Sequence, residues 1–288
     1  GSLELWHLGG AAASALTQRH AMLRHLARAS TLLASTLLAL PAVAGNGLIG
    51  VDNGGQVFQI DPTTAAVLPI GMITGPSSSI GGLDIAPDGF YYAHTTGSSP
   101  QLFRVDPVTF AGTFVSSLSP SFLFEGGLAI SSSGEAWAVN GGSASAAQLL
   151  KIDLATGTDT LVGVMGNADI NGLVVRADGQ LLGIDRVSSW IVQIDPLTAA
   201  ITPLAPLGLP VGVAGGLARF GGQIYGCTAG SGASDDLFLV DPQTGATTPV
   251  ATLNGTLPSS GLYALGSDDS GAAPGAPYCF GDGTGLVC

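Results

Sequence analysis

The sequence predicts an all-β fold: a five-bladed β-propeller of four-stranded blades, closed by the last A strand joining the first blade. Three observations predict it. An apolar strand ending in Asp-Pro or a variant recurs as VFQIDP, LFRVDP, LLKIDL, IVQIDP and LFLVDP, placing Asp61, Asp106, Asp153, Asp195 and Asp241 at spacings of 45, 47, 42 and 46. A glycine-led segment recurs between them as IGGLDIAPDG, EGGLAISSSG, INGLVVRADG, AGGLARFGG and SSGLYAL. Gly 44 and Pro 17 make up about a fifth of the 288 residues, a composition of frequent turns and few long helices. Self-similarity at about 44 residues is the mark of a repeat architecture.

Each unit holds four short runs rich in Val, Ile, Leu, Thr and aromatics, bounded by Gly, Pro, Asp or Ser, and these read as strands. Strand A is the GGLxI run. Strand B follows as GLIGVDN, FYYAHTT, EAWAVNG, QLLGIDR and QIYGCTA; strand C carries the Asp-Pro ending; strand D is the Thr and Val segment seen in GTFVSS, DTLVGV, AITPLA and ATTPVA. The repeat region, residues 45–266, begins with B, C and D, runs through four complete units and ends on a lone A strand read at Gly261 to Leu265. Twenty strands make five blades only if that last A strand completes the first blade, which also satisfies two open edges.

The repeated residues have mechanical roles. In the DPxTG turn, Asp accepts backbone N–H groups two residues on, Pro presets φ, and Gly supplies a positive φ. Asp61, Asp106, Asp153, Asp195 and Asp241 are therefore read as turn caps, as are Asp88, Ser133 and Asp178 in the A–B turns. In strand B the small residues Gly50, Ala93, Ala138, Gly183 and Gly226 align. His94 and Cys227 align with Val51, Val139 and Ile184, which marks them as inter-blade core residues.

Function is expected where the repeat is broken, on the face carrying the D–A and B–C loops. The ligand-binding rim candidates there are Asp52, Glu125, Asn140, Asp169, Asn171, Asp185 and Arg186, with Tyr263 from the last A strand; Asn53, Asp235 and Asp236 share the face. Such carboxylates and loop carbonyls can hold a Ca²⁺, or the rim can receive a sugar or a peptide. For catalysis, glycoside hydrolysis needs two facing carboxylates, and the weak candidates are Asp84 and Glu125. No metal-binding His/Cys cluster, phosphate-binding loop or dinucleotide fingerprint appears in the sequence, so no cofactor is expected.

Composition narrows the partners. Lys+Arg 8 against Asp+Glu 20 gives a net charge of -12, and the only lysine is Lys151. Binding nucleic acid needs basic surface to displace phosphate counterions, so that class is excluded.

Residues 22–44, MLRHLARASTLLASTLLALPAVA, read as a secretory signal peptide cleaved after Ala44. Its twelve-residue apolar run is shorter than the roughly 20 residues a membrane-spanning helix needs, so no span is expected in the mature chain. Residues 1–21 precede Met22 and read as a non-native or upstream extension. Without Glu4, Arg19, Arg24 and Arg28 the mature chain keeps 19 acidic and 5 basic residues, a net charge of -14. A secreted or cell-surface location follows as the expectation.

Residues 267–288 read as a small-residue linker and a Cys-containing motif, YCFGDGTGLVC. Cys279 and Cys288 are expected to form one small disulfide, or to be halves of pairs whose partners lie elsewhere. The string from Tyr278 to Gly285 resembles the YCFGDG[ST]G motif toward the carboxyl end of many exported proteins of planctomycete and myxobacterial type. There it is usually followed by CPCGN and further cysteines, whereas this sequence stops at Cys288, which implies truncation inside a second module. Residues 47–265 similarly resemble extracellular propeller-like repeat proteins with LYxID-PxTG units. Together these readings expect a monomeric, exported, non-enzymatic binding or interaction module with a protein or glycan partner. A glycan-active hydrolase and a purely structural surface or matrix protein are the alternatives.

Overall fold

The computed structural model describes residues 47–119, 126–140, 146–209, 214–229, 235–255, 257, 261–267, 280–281 and 286–287. The expected leader, Glu125, Cys279 and Cys288 lie outside the described residues. The chain opens with β1 (Leu48–Val51), β2 (Gln56–Ile60) and β3 (Ala66–Met72). Four full blades follow: β4 (Ile80–Ile85), β5 (Tyr91–Thr95), β6 (Gln101–Val105) and β7 (Gly112–Ser117); β8 (Leu128–Ile130), β9 (Ala136–Asn140), β10 (Gln148–Ile152) and β11 (Asp159–Val164); β12 (Ile170–Val175), β13 (Leu181–Asp185), β14 (Trp190–Ile194) and β15 (Ile201–Pro206); β16 (Ala214–Phe220), β17 (Gln223–Ala229), β18 (Asp236–Val240) and β19 (Thr247–Thr252). Then come β20 (Asn254–Gly255), β21 (Ala264–Ser267), and a separate two-stranded pair, β22 (Phe280–Gly281) and β23 (Leu286–Val287).

The first sheet runs β20-β3-β2-β1-β21, so the last ring strand completes the first blade as expected, and β20 pairs in parallel with the outer strand β3. Apart from the β22-β23 pair, the remaining sheets are the four four-stranded antiparallel blades two to five. In every blade the C–D pair slips register after the second residue of the C strand, a bulge that raises local twist.

The closing strand is one correction to the sequence reading. Gly50 on β1 lies opposite Leu265, just as Ala93, Ala138, Gly183 and Gly226 lie opposite Leu83, Leu128, Leu173 and Leu217. Leu265, not Leu262, is therefore the repeated leucine, and the strand runs to Ser267. Leu262 is fully buried against Phe58, Ile60 and Leu48, and its Cδ1 would stand 2.8 Å from a Cβ on Gly50. The pairs Gly261-Leu262 and Ala264-Leu265 compete for the repeated position, and the frame that fills the space over Gly50 with Leu262 wins.

Five apolar clusters form the core, one in each gap between neighbouring blades. Between blades two and three, for example, Tyr92 and Leu102 meet Leu128, Ala138 and Leu150. This explains why small and large residues alternate across strand B: each sheet is packed on both faces. His94 and Cys227 are both fully buried, as their alignment with apolar residues predicts.

All five repeated aspartates cap their turns, each Oδ1 accepting the N–H groups two and three residues on, at 2.7 to 3.2 Å. The positive-φ position is glycine in only two turns, Gly157 and Gly245; Ala65, Phe110 and Ala199 adopt it in the others. Phe110 is held there by packing, 5 % exposed and with its ring 6.3 Å from that of Tyr91.

Around the axis the A strands touch backbone to backbone. A Cβ on Gly172 would lie 2.9 Å from the Leu217 nitrogen of the next blade, and Gly127 and Gly216 press equally on Leu173 and Leu265. That close approach is the reason for the repeated glycine. Among the described residues, the space lined by Leu83, Gly127, Leu173, Leu217 and Leu265 around the axis has no room for a water molecule.

Candidate functional site

The expected rim residues divide into two groups. Asp52, Asn140 and Asp185 occupy the same place, two residues after the small residue of strand B, and Thr95 and Thr228 hold it in the other blades. In four blades the side-chain oxygen accepts the N–H of the first C-strand residue: Asp52 from Gln56 at 2.8 Å, Thr95 from Gln101 at 2.9 Å, Asn140 from Gln148 at 2.7 Å and Thr228 from Asp236 at 3.1 Å. Asp185 instead accepts Val187 N–H at 3.2 Å, Asp169 N–H at 3.0 Å and the Ser188 hydroxyl at 2.5 Å. These residues cap the B–C loop in every blade; the sequence hides the pattern because Asp, Asn and Thr share only an acceptor oxygen.

Asp169, Asn171 and Arg186 form the second group. Asp169 is 2 % exposed, and Arg186 donates to its Oδ2 from Nε at 2.9 Å and Nη2 at 2.6 Å. Asn171 is buried beside them at the start of β12. Tyr263 is half-buried just before β21, its N–H donating to the Val51 carbonyl at 2.8 Å. Among the described residues no three His, Cys, Asp or Glu side chains come together as a metal-holding group.

Asp84 stands at the other end of the A strands. Its Oδ1 accepts the N–H groups of Ile85 at 2.9 Å and Ser267 at 3.3 Å, and its Oδ2 accepts that of Ile130 at 2.7 Å. One carboxyl group thus joins blades one, two and three. Burial pushes its pKa up to about 7, against the lowering pull of those three N–H donors. Ser267 in turn donates its hydroxyl to the Arg219 carbonyl of blade five. Whether Glu125 approaches Asp84 lies outside the described residues.

Asp84 also forms the inner wall of a cleft of about 420 Å³ on the A–B turn face, opposite the face where the sequence places the candidates. Blade three supplies the Ser131–Ser133 turn, Glu135, Trp137 and Lys151; blade four supplies Arg176, Asp178 and Gln180, with Pro196 and Leu197 alongside. Lys151 Nζ lies 2.7 Å from Glu135 Oε1 and 5.4 Å from the centre of the Trp137 ring. Arg176 donates to Asp178 Oδ2 and Gln193 Oε1, both at 2.8 Å. Trp137 and Arg176 are 4 % and 6 % exposed, and the buried Trp137 Nε1 and Arg176 Nε have no hydrogen-bond acceptor among the described residues. No sequence signal marks this cleft, because its halves come from different repeats.

Fold and cleft together define a five-bladed β-propeller with an inter-blade polar cleft. No protein-family model matches the chain, and no curated protein matches it. Among solved structures it is similar to a chain in the crystal structure of a nidogen/laminin complex, at 14% identity and a TM-score of 0.51, over 76% of this chain and 97% of that one. It is also similar to virginiamycin B lyase from Staphylococcus aureus with quinupristin (12% identity, TM-score 0.44, 72% of this chain and 69% of that one) and to TolB from Acinetobacter baumannii (14%, 0.46, 73% and 51%). These likenesses concern the fold alone.

Proposed function

We propose that the chain is an exported, non-enzymatic β-propeller that works as a binding or interaction module of the cell surface or extracellular space. One observation carries the reading. In the shaped cleft every carboxylate is already engaged: Glu135 with Lys151, Asp178 with Arg176, and Asp84 with three backbone N–H groups. A hydrolase needs a carboxyl free to give a proton and a second facing it; this cleft offers surface for recognition instead. The nidogen/laminin complex adds that a propeller of this general shape is found bound to another protein. The export reading rests on residues 22–44 and on the YCFGDG[ST]G resemblance at the carboxyl end.

The test is the full chain, purified from the exporting host, applied to glycan and protein arrays with and without Ca²⁺ and assayed for turnover on the same glycans. Binding without turnover is the expected outcome. The hydrolase alternative draws on the Asp84 carboxyl, pushed up to about 7 where general acids work. Turnover abolished by Asp84→Asn or Glu125→Gln would establish that alternative and overturn the proposal.

A further inference from the structure

We infer that the outer edge of β7 in blade two is where two copies of this chain pair, strand against antiparallel strand about a two-fold axis, in place of the monomer expected from sequence. Such pairing is independent of the binding-module reading. Each blade ends on a D strand bonded on one side to its C strand. The other side is the kind of edge that recruits further strands unless something blunts it.

The five outer edges are blunted unequally. Opposite the C-strand residue just past each bulge stand Pro69, Phe114, Leu161, Pro203 and Pro249, facing Phe58, Phe103, Leu150, Val192 and Phe238. Proline has no N–H to give, so the backbone nitrogen at this position points away from the C strand. In blades one, four and five, proline thus removes a donor that an incoming strand would use. Blade one is also covered by β20. Blade three keeps the donor, but β11 opens on a charge, Asp159, which is another way of blunting an edge. Only β7, with the sequence GTFVSS, has neither proline nor charge.

Neighbouring backbone shows where this edge becomes free. Thr74, in the segment leaving blade one, pairs in parallel with Ala111: its N–H donates to the Phe110 carbonyl at 3.0 Å, and Gly112 N–H donates to its carbonyl at 2.8 Å. The next donor of such a ladder would be residue 76, which is a proline, and the ladder stops. Phe114 N–H points the same way as that of Gly112, two residues before it, and lies past the end of this ladder.

A second copy is the occupant these residues favour. Phe114 is 51 % exposed although its ring stands edge-on to that of buried Phe103 at 6.0 Å, which leaves half its surface for a partner to cover. A chain of net charge -12 repels its own copies over most of its surface, but β7 is uncharged. Arg104, opposite Thr113 on the next strand, is paired with Asp88 at 3.1 Å. A strand edge turned about a two-fold axis is its own complement, and a single open edge closes a dimer where two would build a fibre.

The experiment is sedimentation equilibrium of the full chain from about 1 to 300 µM, a range suited to the weak contact of one strand pair. The average mass is expected to rise toward that of a dimer, and hydrogen exchange at the Phe114 amide to slow with it. Phe114→Pro copies the residue of three sister blades without removing a bond to β6, and is expected to weaken the dimer at least about tenfold. Leu161→Pro, the same change at the matching place in blade three, is expected to leave association unchanged. Phe114→Lys, which puts a charge on the edge, decides the matter if the proline variant does not fold. A chain that stays monomeric throughout, a folded Phe114→Pro or Phe114→Lys variant that dimerises as the wild type does, or an equal loss in Leu161→Pro overturns the inference. So does protection of the Phe114 amide that appears only when an unrelated protein is added.

Discussion

Asp84 on β4 accepts a hydrogen bond from the backbone N–H of Ser267 on β21, 183 residues further along the chain, at 3.3 Å. The same carboxyl accepts Ile130 N–H from blade three, and Ser267 reaches on to the Arg219 carbonyl of blade five. Four of the five blades are therefore linked at one end of the axis by a short chain of hydrogen bonds.

This arrangement sets a pH dependence. Burial raises Asp84 to about 7, so the native state holds that proton more tightly than the unfolded chain, and stability falls as pH rises from about 4 to about 7. Burial lowers His94 from 6.5 to about 4, so its contribution has the opposite sign: stability is lost as pH falls from about 6.5 to about 4. The two slopes overlap and offset, and the wild-type melting temperature should be nearly flat between pH 4.5 and 6.5. Melting curves of Asp84→Asn should show lower stability at pH 4.5 than at 7, and those of His94→Val the reverse.

The axial glycines make a sharper test of ring closure. Ala at Gly172 brings a Cβ within 2.9 Å of the Leu217 nitrogen at a φ of 70°, whereas Ala at Gly89 meets nothing within 4 Å at a φ of 82°. Both substitutions carry the left-handed strain of about 1–2 kcal/mol; only the first forces two blades apart. Urea titration should place Gly172→Ala at least about 2 kcal/mol below Gly89→Ala.

On the opposite face Arg186 neutralises a carboxylate that is 2 % exposed. Arg186→Gln leaves Asp169 charged and buried, a change that costs about 3–5 kcal/mol. The double variant with Asp169→Asn should recover much of the loss, as read from denaturant midpoints.

Cys227 is fully buried, and burial pushes its thiol up to about 12. Alkylation requires the thiolate. Iodoacetamide at pH 8 should leave the Cys227 peptide unmodified in the native protein and label it fully in denaturant, as peptide mass mapping would report.

The blades were legible in the sequence because one turn, Asp-Pro-x-Thr, and one backbone contact, the A-strand glycine, recur with little chemical variation. The register of β21 was not, since Gly261-Leu262 mimics the repeated pair three residues early and only the space above Gly50 decides between them. The B–C caps escaped for a different reason: Asp52, Thr95, Asn140 and Thr228 do one job with different side chains. The cleft was invisible because Trp137 and Arg176 belong to separate blades and meet only through the rotation from one blade to the next.

Pairing of β21 with β1 also imposes a waiting time. Strand β1, beginning at Leu48, leaves the ribosome about 216 residues before β21, its partner, which begins at Ala264; at 5–20 residues per second that is roughly ten to forty seconds. For that interval Leu48–Val51, all four buried in the finished ring, is an unpaired apolar edge, the kind of segment that recruits foreign strands. Whatever covers those four residues during synthesis therefore protects the ring before its own closing strand can.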